Sequence, residues 1–174
     1  EGIYDITDYK KSYEALLKNP AIEKFLNLSE KLKKEELDKQ AQILDWYKKA
    51  SFSQLKTESD RLRKLISATS GQQFHQAKRL LGFMGMLSFL YSESSLNSQN
   101  KANFKGFMEI YESLEPDNPD ISYFKACQAI MDNQPAKAME LLEKAVTLGF
   151  YDLNRLQNVG YFQELRASPE FDLL

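Results

Sequence analysis

Apolar residues recur at every third or fourth position through most of the chain, which is the spacing of an α-helix with one buried face. Segments that alternate apolar and polar residues, as half-buried strands do, are nearly absent. The pattern therefore predicts an all-α protein. Pro20 and Pro135 favour helix starts, because proline lacks the amide hydrogen that a helix interior needs, and Gly149 favours a helix end.

The predicted helices share this apolar period and are separated by proline, glycine or polar turns. A serine at 51 or 53 is a suitable cap for the fourth of them, because its hydroxyl accepts hydrogen bonds from free amides of a first turn. The polar stretch at 30–36 is compatible with either a loop or a continuous helix. The predicted helices cover residues 9–17, 20–28, 37–47, 53–70, 72–92, 102–114, 120–131 and 135–148.

Residues 72–92 form the longest and most apolar predicted helix, and its apolar side chains cover so much of its circumference that we expect neighbours on two sides. Gly82 and Gly85 each cost up to about 1 kcal/mol relative to alanine, so we expect notches where a neighbouring helix approaches closely. The apolar run at 80–91 falls short of the roughly 20 residues that cross a bilayer, so no membrane-spanning segment is expected. Residues 92–101, SESSLNSQNK, predict a surface loop.

The stretch PDISYFKACQAIMDNQPAKAMELLEKAVTLGF, residues 119–150, predicts two short antiparallel helices joined by a tight turn. Ala126, Ala138 and Ala145 lie on the faces that would meet, and small side chains there let two helices approach closely. Gly149 then supplies the left-handed backbone that ends the second helix. A Gly-Phe turn at 149–150 and a PxFxxL motif at 169–174 follow this pair.

This helical pair resembles a tetratricopeptide repeat in its length and in the spacing of its three alanines. Ser122 and Lys125 depart from the resemblance, because the family usually has a large aromatic residue and a leucine at these places, and Phe150 replaces the usual proline. The resemblance covers about a fifth of the chain. It implies a right-handed α-α superhelix, a solenoid of about four to five antiparallel helical pairs.

Such an architecture divides one continuous domain into four parts. Residues 1–70 would hold N-terminal helical hairpins, 71–116 a degenerate repeat with a loop insertion at 92–101, 117–150 the clearest repeat, and 151–174 a capping tail. An end repeat exposes an unpaired helical face, so a short amphipathic tail that covers this face is expected. Phe150, Phe162 and Phe171 are the expected anchors of the tail.

The sequence offers no arrangement of side chains suited to catalysis. His75 and Cys127 are the single histidine and the single cysteine, so a nucleophile with an adjacent base, an internal disulfide or a transition-metal site is not expected. Neither GxxxxGKS/T nor GxGxxG, the phosphate-binding motifs, occurs. We therefore expect a protein that is not an enzyme and has no cofactor, with Cys127 as a small core residue.

The net charge of −2 hides an asymmetry along the chain. Residues 1–80 carry 16 basic and 12 acidic side chains, whereas residues 81–174 carry 7 and 13. The one concentrated basic segment, KTESDRLRK at 56–64, is diluted by Glu58 and Asp60 and predicts a solvated helix face. A nucleic-acid partner is not expected, because its binding depends on lysine and arginine neutralising phosphates.

Together these patterns predict a non-catalytic scaffold or adaptor that binds a peptide or protein segment in a concave helical groove. By the tetratricopeptide resemblance, the groove-facing residues are Asp120, Tyr123, Cys127 and Ile130, and Tyr123→Ala is expected to weaken partner capture with little loss of stability. The alternative is a helical carrier of a small apolar ligand, suggested by the Met and Phe residues at 80–91 and 104–111. Because the chain begins with Glu1, a removed leader stays possible, and the sequence assigns neither the bacterial cell envelope nor the cytoplasm.

Overall fold

The computed structural model describes residue 11, residues 14–158 and residues 160–171. None of these residues forms a strand and most are helical, which confirms the all-α prediction for the part of the chain described. The chain divides into two compact units, Glu1–Gln42 and Ile43–Leu174. Tyr9 and Tyr13 of the first predicted helix, and Leu174 of the closing motif, lie outside the described residues.

The helices follow the predicted order, and two of them begin at the prolines that the sequence indicates, Pro20 and Pro135. A third begins at Pro119, one residue before its predicted start. Residues 14–17 are also helical. Two short 3₁₀ turns, Gly160–Phe162 and Leu165–Ala167, complete the C-terminal segment. Numbered in chain order, the helices are α1 (Pro20–Lys48), α2 (Phe52–Ala68), α3 (Gly71–Asn97), α4 (Lys101–Leu114), α5 (Pro119–Met131), α6 (Pro135–Thr147) and α7 (Leu153–Asn158).

Two predictions about helix length are corrected. The polar stretch at 30–36 is helical, so α1 has 29 residues and exceeds the 27 of α3, which is therefore not the longest helix. The predicted loop at 92–101 is wrong over its first six residues, because α3 continues through Asn97. The last turns of this helix are buried at Ser92, Ser95 and Leu96. The serine-rich composition of this stretch therefore suggested a loop, although its residues pack against distant parts of the chain.

Four described helices end in the same backbone arrangement. The residue after the helix cap has a positive φ at Ala50 (49°), Gln99 (56°), Asn133 (57°) and Gly149 (98°). Its amide and the next amide donate back to carbonyls of the last turn, as in Phe150 N to Ala145 O at 2.9 Å. These bonds satisfy carbonyls that a helix end otherwise leaves unpaired. The predicted glycine end at 149 is confirmed, and three further ends use residues with a side chain.

The second unit contains two clusters of buried side chains that share α4. One cluster joins the C-terminal end of α1 and the length of α2 to α3, and it uses Phe107 and Ile110 of α4. The other joins α5, α6 and the C-terminal segment and uses Phe104, Met108 and Tyr111 of the same helix. Because α3 packs against α2 on one side and α4 on another, the predicted coverage on two sides is confirmed.

Small residues allow the α5–α6 pair to pack closely. Ala126, Ala138 and Ala145 are each fully buried, as the sequence predicts. Lys125, one of the departures from the repeat pattern, forms an ion pair with Glu112 of α4. The helical pairs are thus shown, whereas the superhelix and the domain limits at 70, 116 and 150 stay predictions.

In the first unit, α1 leaves much of its apolar surface exposed. Phe25 is 66% exposed and Leu28 is 51% exposed. Across the residues that the structure describes, no helix combines the length and the apolar character needed to span a membrane.

Candidate functional site

The structure separates the four residues predicted to face a groove. Tyr123 and Cys127 are buried in the cluster around α5, with exposed fractions of 1% and 0%. Asp120 and Ile130 are half-buried. A partner therefore has no access to Tyr123 or Cys127 in this structure, and the binding role predicted for the four residues stays a prediction.

The segment that follows α6 covers this face of α5. The Phe150 ring stacks on the Tyr123 ring, with centroids 4.7 Å apart and planes 8° apart. The Phe162 ring meets Tyr123 edge-on at 5.7 Å. Phe150 and Phe162 are buried and Phe171 is partly buried against the same cluster, so the three predicted anchors of the tail pack as expected.

Arg155 of α7 is the charged residue of this face that the sequence analysis missed. Its Nη1 donates to Asp120 Oδ1 at 2.6 Å, and its Nε lies 3.6 Å from Glu93 Oε1. Its guanidinium carbon lies 4.2 Å from the Tyr123 ring centroid and 5.1 Å from that of Phe124. An arginine between aromatic rings and carboxylates is stabilised by cation–π and charge-assisted hydrogen bonds.

The Arg155 side chain is enclosed and lies against Tyr123 and Asp120, two of the residues of α5 that were predicted to contact a ligand. The side chain of Arg155 is only 14% exposed, and its Nη2 is buried without a hydrogen-bond partner in the described structure. Asp120 is therefore committed to an internal ion pair. No signal within the local sequence places residue 155 against residue 120, because the contact depends on how the C-terminal segment folds back.

Burial also makes the single thiol a poor nucleophile. Desolvation raises the pKa of Cys127 to about 12, although the neighbouring Tyr123 hydroxyl and the charge of Arg155 act to lower it. The pKa of Tyr123 is raised as well, mainly by burial. Because the thiolate is the reactive form, Cys127 stays protonated and inert near neutral pH. Among the described residues, no group of three or more His, Cys, Asp or Glu side chains could hold a metal ion.

An open groove lies between α2 and α3 and reaches the end of α4; we name it the α2/α3 groove. Its volume is about 410 Å³. Its lining is mainly apolar and includes two cationic side chains and one carboxylate. The lining residues are Arg63, Ile66, Ser67, Lys78, Leu81, Gly82, Leu114 and Glu115.

The groove exists partly because residue 82 has no side chain. An added Cβ at Gly82 would meet no atom of the described residues within 4 Å, so the predicted close approach of a helix at this position is wrong. At Gly85 an added Cβ would collide with the carboxylate of Glu115, so this glycine does mark a close contact, although with a side chain. The close ring contact in this region is at Gly106, where an added Cβ would collide with the ring of Phe52. The space beside Gly82 is therefore open, whereas the space beside Gly85 and Gly106 is occupied by the side chains of Glu115 and Phe52.

The charges beside the groove favour an anionic ligand. Arg63 is exposed, and Lys78 lies with its Nζ 4.9 Å from the Phe74 ring centroid. Glu115, which also lines the groove, accepts a hydrogen bond from Asn118 Nδ2 at 2.7 Å, which engages part of its carboxylate. The prediction that the basic segment at 56–64 is a solvated face is confirmed for its cations, while Glu58 and Leu62 of the same segment are buried.

Comparison of the chain with protein-family models, curated proteins and solved structures gives no match. The tetratricopeptide resemblance therefore rests on the residues that carry it and on the helical pairs.

Proposed function

We propose that this protein is a non-catalytic interaction module that binds a short amphipathic segment of another protein in the α2/α3 groove. The observation that carries the proposal is the combination of an open, largely apolar floor with the cationic side chains of Arg63 and Lys78. Helices and extended peptides bind such grooves through apolar anchors, and charge complementarity at the edge sets their orientation. The expected partner segment therefore carries leucine-like side chains next to Asp or Glu.

The proposal includes a tetratricopeptide-like architecture, in which the helical pairs continue as a right-handed superhelix. The complete burial of Ala126, Ala138 and Ala145 in the α5–α6 pair supports this proposal. The binding surface differs from the one implied by the family resemblance, since Tyr123 and Cys127 are covered by the chain itself. A carrier of apolar ligands would need an enclosed apolar cavity, whereas the α2/α3 groove is open to solvent.

Gly82→Leu tests the proposal without endangering the fold. A leucine at this position would project into open space and block the groove, and removing a glycine from a helix interior stabilises it by up to about 1 kcal/mol. The probe is a fluorescent twelve-residue peptide with leucine and glutamate in amphipathic spacing, and fluorescence anisotropy gives its Kd. We expect saturable binding that Gly82→Leu weakens by about tenfold or more while the melting temperature is kept or raised.

Ser94→Leu is the matched control, because Ser94 is an exposed residue of the same helix that does not line the groove. This variant should bind the peptide as the parent does. Arg63→Ala combined with Lys78→Ala should weaken binding and reduce its dependence on salt concentration. No saturation up to about 1 mM peptide, or equal affinity of the parent and Gly82→Leu, would refute the groove as the binding site.

A further inference from the structure

A second concavity, of about 780 Å³, lies where the C-terminal ends of α3 and α5 meet the segment after α7; we name it the amide pocket. It shares no lining residue with the α2/α3 groove. Ile130, the last of the four sequence-predicted binding residues, is part of its wall. The described residues that line it are mostly Asn and Gln, which is an unusual concentration of one chemical group.

Four carboxamides line this concavity and have no hydrogen-bond partner in the part of the chain that the structure describes. Asn97, Gln99, Asn133 and Gln163 line it and are exposed, and their side chains make no hydrogen bond to any described residue. The fifth carboxamide in the lining, that of Asn158, donates a hydrogen bond to Asn154. Each carboxamide offers one acceptor and two donor hydrogens, which matches the carbonyl and N–H groups of an extended peptide backbone.

The charge of the amide pocket favours a cation. Of the described residues that line it, Glu164 is the only one with a charged side chain. Two helices, α3 and α5, end at this place, and the C-terminal end of a helix carries a partial negative charge. Lys101 donates from Nζ to Met131 O at 2.7 Å near the end of α5 but does not line the concavity. The field therefore favours lysine or arginine over an acidic side chain.

The backbone of the wall is fixed before a ligand arrives. Gln99 and Asn133 are the left-handed residues that end α3 and α5, and paired backbone hydrogen bonds hold each of them. Tyr161 donates its hydroxyl hydrogen to Leu96 O at 2.7 Å, so its phenol is anchored to α3. Tyr161 and Ile130 both line the concavity. A preorganised backbone reduces the entropy that binding must overcome, so that the ligand has to order only the carboxamide side chains.

We propose that the amide pocket is a separate binding site for an extended peptide segment that carries a lysine or arginine side chain. The carboxamides pair with the peptide backbone, Ile130 and Tyr161 contact the aliphatic part of the basic side chain, and Glu164 pairs with its charge. This site is independent of the amphipathic segment proposed for the α2/α3 groove.

The test uses three five-residue peptides with blocked ends, Ala-Ser-X-Ser-Ala, in which X is lysine, norleucine or glutamate. Titration into ¹⁵N-labelled protein reports directly on the site, because each Asn and Gln side chain gives its own NH₂ signals. We expect saturable shifts of the signals from Asn97, Gln99, Asn133 and Gln163, with lysine binding most tightly and glutamate most weakly. Glu164→Gln should weaken the lysine peptide by about fivefold and leave the norleucine peptide unchanged.

Glu140→Gln is the control for a general change in net charge, because Glu140 is exposed and does not line the pocket. This variant should bind all three peptides as the parent does, and so should Gly82→Leu, which separates this site from the α2/α3 groove. Equal affinities for the three peptides, carboxamide signals that do not move, or a neutral disaccharide that shifts these signals more strongly than the lysine peptide would each overturn the proposal.

Discussion

At the scale of single residues, Tyr123 and Arg155 show how the chain uses a face that the repeat pattern assigns to a partner. The Tyr123 ring contacts both the Phe150 ring, at 4.7 Å, and the Arg155 guanidinium, at 4.2 Å, and the guanidinium also lies 5.6 Å from the Phe150 ring. Aromatic stacking and cation–π contact both gain strength when they are shielded from water. The contacts that would serve recognition in an open groove therefore serve stability here.

This placement reverses the stability prediction drawn from the sequence for Tyr123→Ala. Removing a fully buried aromatic side chain leaves a cavity and typically costs about 3–5 kcal/mol. We expect the free energy of unfolding, measured by urea denaturation with circular dichroism, to fall by that amount. Tyr151→Ala, at a tyrosine that is 89% exposed, should change it by less than about 0.5 kcal/mol. A Tyr123→Ala protein as stable as the Tyr151→Ala protein would show that α5 is not covered in solution.

Because Cys127 is buried, we expect the free energy of unfolding to fall as the pH becomes alkaline. Its pKa is about 12 in the folded protein, against an ordinary value of 9.0, because burial disfavours the thiolate. The folded state therefore keeps a proton that the unfolded chain loses, so the contribution is complete below about pH 9 and is lost as the pH rises toward 12. In that window the free energy of unfolding should fall by roughly 1 kcal/mol per pH unit for this group.

Urea denaturation at several pH values between about 8 and 11 measures this slope. Burial also raises the pKa of Tyr47, Tyr111 and Tyr123, so these tyrosines add to the slope of the parent protein. Cys127→Ala should make the slope shallower, whereas Ser122→Ala, at a buried residue of the same helix that does not titrate, should change the stability but keep the slope. An identical slope for the parent and Cys127→Ala would contradict the shifted thiol.

At the scale of helices, the sequence predicts what depends on neighbours within a few residues. Helix starts at Pro20 and Pro135 and the helix end at Gly149 follow from backbone chemistry at one position, and the structure has all three. The burial of Ala126 and Ala138 follows from spacing within one hairpin. Such features need no knowledge of distant residues.

Features that depend on tertiary packing were not predictable in the same way. Residues 92–97 are mostly polar, yet they stay helical, and Leu96 among them is buried in the cluster that includes α4 and the C-terminal segment. Ala50 and Gln99 end helices in left-handed conformations that are unfavourable for residues with a side chain, so composition gave no signal for them. Gly82 and Gly85 look alike in sequence, and only the packing around each shows that one borders open space and the other meets Glu115.

The candidate sites show the same division. The exposed cations of the segment at 56–64 were identifiable from the sequence, but the groove they border also needs Lys78 and Leu114 from other helices. The amide pocket combines Asn97, Asn133 and Gln163, which are far apart in the sequence. Predicting either site requires the topology as well as the pattern.

At the scale of the second unit, the C-terminal segment is part of the main core. Leu156, Phe162 and Leu165 are buried in the same cluster as Tyr123 and Phe124 of α5. Each such side chain contributes about 1.5–3 kcal/mol on burial, so three of them approach the 5–15 kcal/mol that stabilises an ordinary domain. We therefore expect this segment to be integral to the fold, in addition to the capping role predicted from the sequence.

Deletion of residues 151–174 tests this conclusion. We expect the shortened chain to lose its cooperative thermal transition and to bind a hydrophobic dye, because Tyr123, Phe124 and Phe150 become exposed. Phe162→Ala in the full chain is the milder version and should cost about 3–5 kcal/mol by urea denaturation. Leu153→Ala, at a leucine of the same segment that is 60% exposed, should have little effect. If the deleted chain instead unfolds cooperatively with only a small loss of stability, the segment is a separable cap, and the aromatic face of α5 is available to a partner as the repeat resemblance implies.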